Sequence, residues 1–337
     1  MPREIRLLTT PTGLPRPEDF EIAEAPVPAP AEGEVLLRNR FFHVFAALRS
    51  LLAGGVKGAP FPPVRPGDAL FGPAIGEVVS APDGSGLRPG ELVFHWLGWR
   101  EYAVSPVGQC VPLGDTLPDP VAHLSQGLTA YAALAGNVSP GDTVFVSGGA
   151  GAVGTMAGQV ARLLGAGRVV GSTGSPEKGE RLVAELGYDA AVIRGADSLD
   201  RQAAPISEQL GKAAPDGIDV FVDTVGGEQL QAALAAARPG ARFVLAGALS
   251  GQMAANASGT TAEVELDVYQ LILKGVVMRG LRIPDGLRTE WLDRFGGWLR
   301  TGEIVFPHVR VPGIENAARA LQEVIGGRHL GTVVVEL

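Results

Sequence analysis

The sequence predicts an α/β protein in two parts, a doubly wound parallel sheet and a smaller β-rich, partly closed barrel. Between residues 143 and 246 apolar strand-like runs alternate with helical ones, the pattern of a parallel sheet covered on both faces. Before residue 122 the chain instead carries short β-like stretches separated by proline and glycine clusters such as "APVPAPAEGE" and "PFPPVRPGD", which suits a small barrel. A length of 337 residues is also too great for one compact core, so two domains are expected.

The elements follow in order. "EVLLRNRFF", "AIGEVVSA", "ELVFHW" and "REYAVS" read as strands of the first part. Near "LSQGLTAYAALAGNV" the spacing becomes helical, and "SPGD" stops that helix before the strand at 143–147. There follow helix 152–165, strand 168–172, helix 176–187, strand 190–193, helix 198–212, strand 218–223, helix 227–237 and strand 241–246. A helix at 288–301 places Trp291, Leu292, Phe295 and Trp298 on one face, which assigns them to core or interface. The tail "NAARALQEVIGGRHLGTVVVEL" reads as a helix and a last strand that could return to the first part. The domain boundaries expected are 1–122, 123–300 and 301–337.

Composition narrows the function. With 46% hydrophobic and 19% charged residues, 47 glycines and 26 prolines, the chain suits a soluble protein rich in tight turns. A formal charge of -8 with scattered basic residues argues against nucleic acid or an acidic membrane as partner. One cysteine, Cys110, allows no intramolecular disulfide and no multi-cysteine metal site. It reads as a small buried apolar residue. The start "MPREIRLLTT" lacks a signal-peptide core and no run of about 18 apolar residues exists, so a cytoplasmic protein is expected.

Gly149, Gly151 and Gly154 match G-x-G-x-x-G between an apolar strand and a helix, the context that gives the motif meaning. The first glycine is expected to permit the turn, the second to let backbone approach a pyrophosphate, and the third to let helix and strand pack. Amides at the helix start then face the anion. An NAD site usually has Asp or Glu at the end of the second strand, for the ribose hydroxyls. This strand ends "VVGSTGSPEK", with Ser172 and Thr173 in that place. A carboxylate would repel a 2′-phosphate, whereas hydroxyls and a cation accept one. Ser172, Ser175, Lys178 and Arg194 are the candidates, and NADP(H) is the cofactor expected.

Several stretches together resemble the medium-chain dehydrogenase/reductase superfamily, and within it the zinc-free double-bond reductases that act on prostaglandins, leukotrienes and alkenals. They are "LGWREYAVS", "GLTAYAAL", "GDTVFVSGGAGAVG", "GSPEKGERLVAELGYDAA", "GIDVFVDTVGGEQL", "ARFVLAGALS" and "GGRHLGTVVVEL". The resemblance implies a GroES-like catalytic domain built from both chain ends, a Rossmann domain between them, a cleft where NADPH meets substrate, and frequent homodimers. It implies hydride delivery to the β-carbon of an α,β-unsaturated carbonyl, then protonation at the α-carbon. Zinc-dependent relatives carry Gly-His-Glu where this chain reads "FGPAIGEVV". With one cysteine, three metal ligands cannot be assembled, and no metal is expected.

By position, the resemblance assigns Ala150, Gly151, Ala152, Val153 and Gly154 to the pyrophosphate, and Ser175, Lys178 and Arg194 to the 2′-phosphate, with Arg194 replacing a usual tyrosine. Thr129 and the loop Ala246, Gly247, Ala248 to Ser250 would flank the nicotinamide, and His329 replaces a cofactor-contacting asparagine. The family's Asp-Pro-Tyr-Met-Arg stretch appears as Phe45-Ala46-Ala47-Leu48-Arg49, which predicts a roomier, more apolar pocket. His43 and His95 are candidate acids at the cleft, and Trp96, ahead of Trp99, is a candidate to stack on substrate. Some relatives place a tyrosine where this chain has Leu273; Tyr269, one helical turn earlier, is the candidate proton donor or oxyanion partner. A quinone reductase and a non-catalytic NADPH-binding scaffold remain alternative readings.

Overall fold

The structure is a computed structural model that describes residues 1–59, 61–194, 204–254 and 259–337. The first part contains β1 (Arg3–Leu7), β2 (Phe20–Glu24), β3 (Glu34–Val44), α1 (Leu48–Leu52), β4 (Ala74–Ser80), β5 (Leu92–His95), β6 (Tyr102–Pro106) and β7 (Val111–Pro112). The second contains α2 (Gly127–Leu134), β8 (Thr143–Val146), α3 (Gly154–Leu163), β9 (Arg168–Thr173), α4 (Pro176–Glu185), β10 (Ala190–Ile193), α5 (Ile206–Ala213) and β11 (Ile218–Asp223). It continues through α6 (Gly227–Ala236), β12 (Ala237–Leu245), α7 (Leu249–Gln252), α8 (Val268–Lys274), β13 (Val277–Gly280) and α9 (Leu287–Thr301). The chain ends with β14 (His308–Pro312), α10 (Ala317–Ile325) and β15 (Thr332–Glu336).

The central sheet has the order β10-β9-β8-β11-β12-β13, and all its pairings are parallel. Strand order reverses between β8 and β11, which opens a crevice at the carboxyl ends of the strands. Val144, Phe145 and Val146 are all buried, because helices cover both faces of a parallel sheet. On one face α2, α3 and α9 supply Tyr131, Met156, Val160, Trp291 and Phe295. On the other, α5 and α6 cover Phe145, Phe221 and Phe243, which stand side by side on neighbouring strands with ring centroids 5.1 and 5.2 Å apart. The expected helix at 198–212 is described only from Ile206; its earlier part lies outside the described residues.

The other sheet runs β14-β15-β3-β4-β5-β7, with β6 also on β3, and its hydrogen bonds do not close into a barrel. The last strands therefore lie in the same sheet as the first part. β15 pairs antiparallel with β3, Val334 opposite His43. Period-two alternation turns Phe41, Ile75, Phe94 and Val334 toward Val121, Leu124 and Phe306, at the junction with the second part. The opposite face packs Phe42, Val44, Trp99 and Val335 into a separate core. Cys110 is buried, with burial raising its thiol pKa.

Candidate functional site

The glycine turn sits at the crevice. Gly148 has φ +64°, the left-handed conformation that favours glycine, so the turn is made one residue before the motif's first glycine. A Cβ on Gly154 would stand 2.3 Å from the Gly148 carbonyl oxygen and 2.5 Å from Gly149 Cα, which forces glycine there. Gly151 is exposed, and a Cβ on it would meet nothing nearer than the Gly148 carbonyl oxygen at 3.3 Å. Its outer side is open to an approaching group.

Buried polar side chains hold this turn. Ser172 Oγ accepts from the Gly148 N–H at 2.9 Å and donates to Gln229 Oε1. With the hydroxyl enclosed and engaged on both sides, Ser172 shapes the turn. Asp223 Oδ1 accepts from Ser147 Oγ at 2.7 Å, the Val225 N–H at 2.9 Å and the Gly226 N–H at 2.8 Å. The carboxylate thereby ties β8 to the loop after β11. The Asp223 carbonyl accepts from the N–H groups of Ala246 and Gly247, at 2.7 and 3.0 Å. The Ala246–Ser250 loop is thus fixed beside the turn. Tyr188 donates to the Gly154 carbonyl at 2.6 Å, and burial pushes its phenol pKa far above the usual value. Ser147, Gly148, Tyr188, Asp223 and Gln229 were not picked out by sequence. Asp223, an acid closing an apolar strand before Gly-Gly, was the legible signal among them.

At the edge of β9, Ser175 caps α4, its Oγ accepting from the Lys178 N–H at 3.4 Å. Arg194 bonds the Thr173 carbonyl through its backbone N–H at 2.8 Å, and its guanidinium lies 3.8 Å from where a Cβ on Gly174 would stand. Lys178 Nζ donates to the carbonyls of Gly327 and, at 2.9 Å, His329. An ammonium has three donors, so one remains. The segment carrying His329 also meets the turn, the Gly331 N–H donating to the Ala150 carbonyl at 2.9 Å. The imidazole of His329 bonds Glu323 at 2.9 Å and so anchors its own loop.

Across the crevice, Gln126 Nε2 lies 3.4 Å from His43 Nδ1, joining β3 to the start of α2 three residues before half-buried Thr129. Burial lowers the His43 pKa to about 4, so at neutral pH it is an uncharged imidazole and not an imidazolium acid. Ala47 is exposed and Phe45 half-buried. Arg49 is buried in α1, close against Gly259 of the second part, while Ser50 Oγ donates to the Gly259 carbonyl at 2.7 Å.

His95, Trp96 and Tyr269 stand in different surroundings. His95 does not line the cleft: its Nδ1 accepts from the Leu97 N–H at 3.1 Å and its Nε2 donates to Asn39 Oδ1 at 2.8 Å, and burial lowers its pKa to about 3. Trp96, next along the strand, points the other way and is 41% exposed. Tyr269 is 76% exposed on α8 beside Leu273 at 75%, and its hydroxyl has no hydrogen-bond partner among the described residues. It belongs to an apolar surface patch. Also among the described residues, no group of three potential metal ligands stands together.

The buried histidines have a measurable consequence. Unfolded, His43 and His95 bind protons below about pH 6.5; folded, they do so only near pH 4 and 3. Their contribution to stability is full above the unfolded value and is lost as pH falls from it toward the folded values. The urea midpoint is expected to fall between about pH 7 and pH 5, and His95→Gln to flatten that slope. A wild-type midpoint that rises on acidification contradicts the assignment.

A glycine turn at a topological switch point, two cations at the edge of the second strand and a second sheet across the crevice are the architecture of a two-part dinucleotide-binding protein. Residues 3–113 match the family described as the N-terminal domain of oxidoreductase, and residues 152–295 that described as zinc-binding dehydrogenase. The chain is 31% identical to the NADPH-dependent curcumin reductase of Escherichia coli, over 98% of this chain and 95% of that protein. It is 29% identical to the NADP(+)-dependent 2-alkenal reductase of Nicotiana tabacum, over 96% and 94%. The crystal structure of CurA in complex with NADPH from Vibrio vulnificus superposes with a TM-score of 0.85 at 30% identity, over 99% of this chain and 98% of that one. The chain belongs to the medium-chain dehydrogenase/reductase superfamily, in its group of double-bond reductases.

Proposed function

We propose that this protein is an NADPH-dependent ene-reductase that saturates the carbon–carbon double bond of α,β-unsaturated carbonyl compounds. The observation that carries the reading is the edge of β9, where Lys178 and Arg194 stand beside an open glycine turn and no carboxylate closes the strand. NADPH, when bound, supplies the hydride for the β-carbon. The turn from Ala150 to Gly154 cradles its pyrophosphate, Lys178, Arg194 and Ser175 face its 2′-phosphate, and Thr129 and the Ala246–Ser250 loop border the nicotinamide. His43, Phe45, Ala47 and Trp96 line the substrate side. The working domains are 1–122, 123–300 and 301–337, and the setting is the cytoplasm; no helix among the described residues is long and apolar enough to cross a membrane.

Loss of NADPH absorbance with a panel of enones, enals and quinones tests the activity. Turnover of enones and enals is expected. Turnover of quinones alone makes the chain a quinone reductase, and tight NADPH binding without any turnover makes it a scaffold.

We also propose a homodimer. β13 is an edge strand of the parallel sheet, and Val268, Tyr269, Ile272, Leu273 and Val277 form an exposed apolar patch on it and on α8. An open edge beside such a patch favours pairing with a second copy. Leu273→Asp together with Tyr269→Asp is expected to halve the mass measured by light scattering. A wild-type monomer, or a dimer that survives both changes, contradicts this.

A further inference from the structure

Tyr188 is buried between α3 and β9, directly behind the glycine turn. Its ring fills a slot that two glycines leave open. A Cβ on Gly158, in the second turn of α3, would stand 2.2 Å from the ring's Cε2 and 2.6 Å from Cζ, and one on Gly171 of β9 would stand 2.6 Å from Cε1. Only without those Cβ atoms can helix and strand both lie against the ring. A glycine inside a helix and another inside a strand weaken both elements, so the slot comes with a local loss of stability.

The connection between α4 and β10 holds the ring in place. Arg162 of α3 donates to the Gly187 carbonyl at 3.0 Å and pairs with Asp189. The Asp189 N–H donates to the Val169 carbonyl at 2.8 Å, and its carboxylate accepts from the Val169 N–H at 2.7 Å. The residues on either side of Tyr188 are thus tied to the far end of α3 and to β9. From this fixed base the hydroxyl reaches the start of α3, donating to the Gly154 carbonyl at 2.6 Å. Gly154 is the first residue of that helix, and the Thr155 N–H and Oγ1 behind it both donate to the Gly151 carbonyl, at 2.9 and 3.0 Å. The turn that is open on its outer side at Gly151 is therefore gripped on its inner side by Tyr188. A buried phenol without a partner is costly, so a shift of the first helical turn away from the hydroxyl is opposed.

Resting on the placement of the pyrophosphate at this turn, we infer that Tyr188 is a positioning residue for the cofactor: its hydroxyl fixes the first turn of α3 against β9, so that the pyrophosphate meets a cradle already formed. Tyr188 itself touches no ligand, and its effect divides ligands by whether they carry the pyrophosphate. NADPH and NADH do; adenosine 2′-monophosphate keeps the 2′-phosphate and lacks it. Tyr188→Phe leaves the ring in its slot and removes only the hydroxyl. It is expected to weaken NADPH and NADH alike by about three- to tenfold, the scale of one hydrogen bond, and to leave adenosine 2′-monophosphate within about twofold. Calorimetry on the full chain reads all three ligands, with Gly151→Ala as the reference for the pyrophosphate position. An NADPH affinity unaltered by Tyr188→Phe but lowered by Gly151→Ala overturns the role of Tyr188 and leaves the pyrophosphate placement standing. If neither variant weakens NADPH, the placement has failed and the inference falls with it. A loss confined to NADPH moves the effect to the 2′-phosphate and overturns the inference. So does an equal loss of adenosine 2′-monophosphate, through unfolding or otherwise, because the hydroxyl then supports the whole domain and not the turn.

Discussion

Lys178→Ala is expected to weaken NADPH binding roughly ten- to hundredfold and to change NADH binding by no more than about twofold. The range is that of one charge-assisted hydrogen bond, about 1.5–3 kcal/mol. Two of the ammonium's three donors are spent on the Gly327 and His329 carbonyls, which fixes its position before any ligand arrives, and the third is left for an anion. Preorganisation removes much of the cost of ordering a long lysine chain. Since Glu323 and His329 hold the carbonyl-bearing loop, Glu323→Ala should reproduce a weaker form of the same defect, again selective for NADPH. Titration of intrinsic fluorescence with each cofactor reads both variants. Equal losses for the two cofactors would refute the placement of the 2′-phosphate at Lys178.

Much of the fold was legible because it rests on local pattern. Strands 190–193 and 218–223 and the start of helix 176 come directly from alternating apolar runs and punctuation, and Trp291 and Phe295 are buried as their spacing requires. The site was less legible because direction depends on partners remote in sequence. Ser172 looks available until Gln229, 57 residues on, takes its hydroxyl. Lys178 looks like a solvated helix lysine until a segment about 150 residues away supplies its carbonyls. One direction was legible: His95 and Trp96 are neighbours in an extended segment, and alternation turns them to opposite faces. Tyr269, exposed on α8, was illegible for another reason. An exposed apolar helix face carries the same periodicity as a buried one, and nothing local distinguishes the two.

Gly154 and Gly151 have different physical duties in the motif, and alanine substitution should separate them. Gly154→Ala puts a methyl 2.3 Å from the Gly148 oxygen and 2.7 Å from the Gly149 carbonyl carbon. These are backbone atoms already tied down by Ser172 and by the Gly151 N–H, so the clash can be relieved only by opening the turn or displacing α3. A loss of about 3 kcal/mol, the upper range for overpacking, is expected in urea denaturation, together with loss of NADPH binding. In Gly151→Ala the nearest atom to the methyl is 3.3 Å away and the residue is exposed. Stability should therefore change by less than about 1 kcal/mol, yet NADPH affinity should fall at least about tenfold, because the methyl fills the space through which a pyrophosphate meets the amides. Gly211→Ala, in α5 with open space around the added methyl, serves as control and should gain a few tenths of a kcal/mol to about 1 kcal/mol. A Gly151→Ala protein that binds NADPH like the wild type would mean that the anion does not approach the turn at Gly151, and the cradle would then have to lie further along the start of α3.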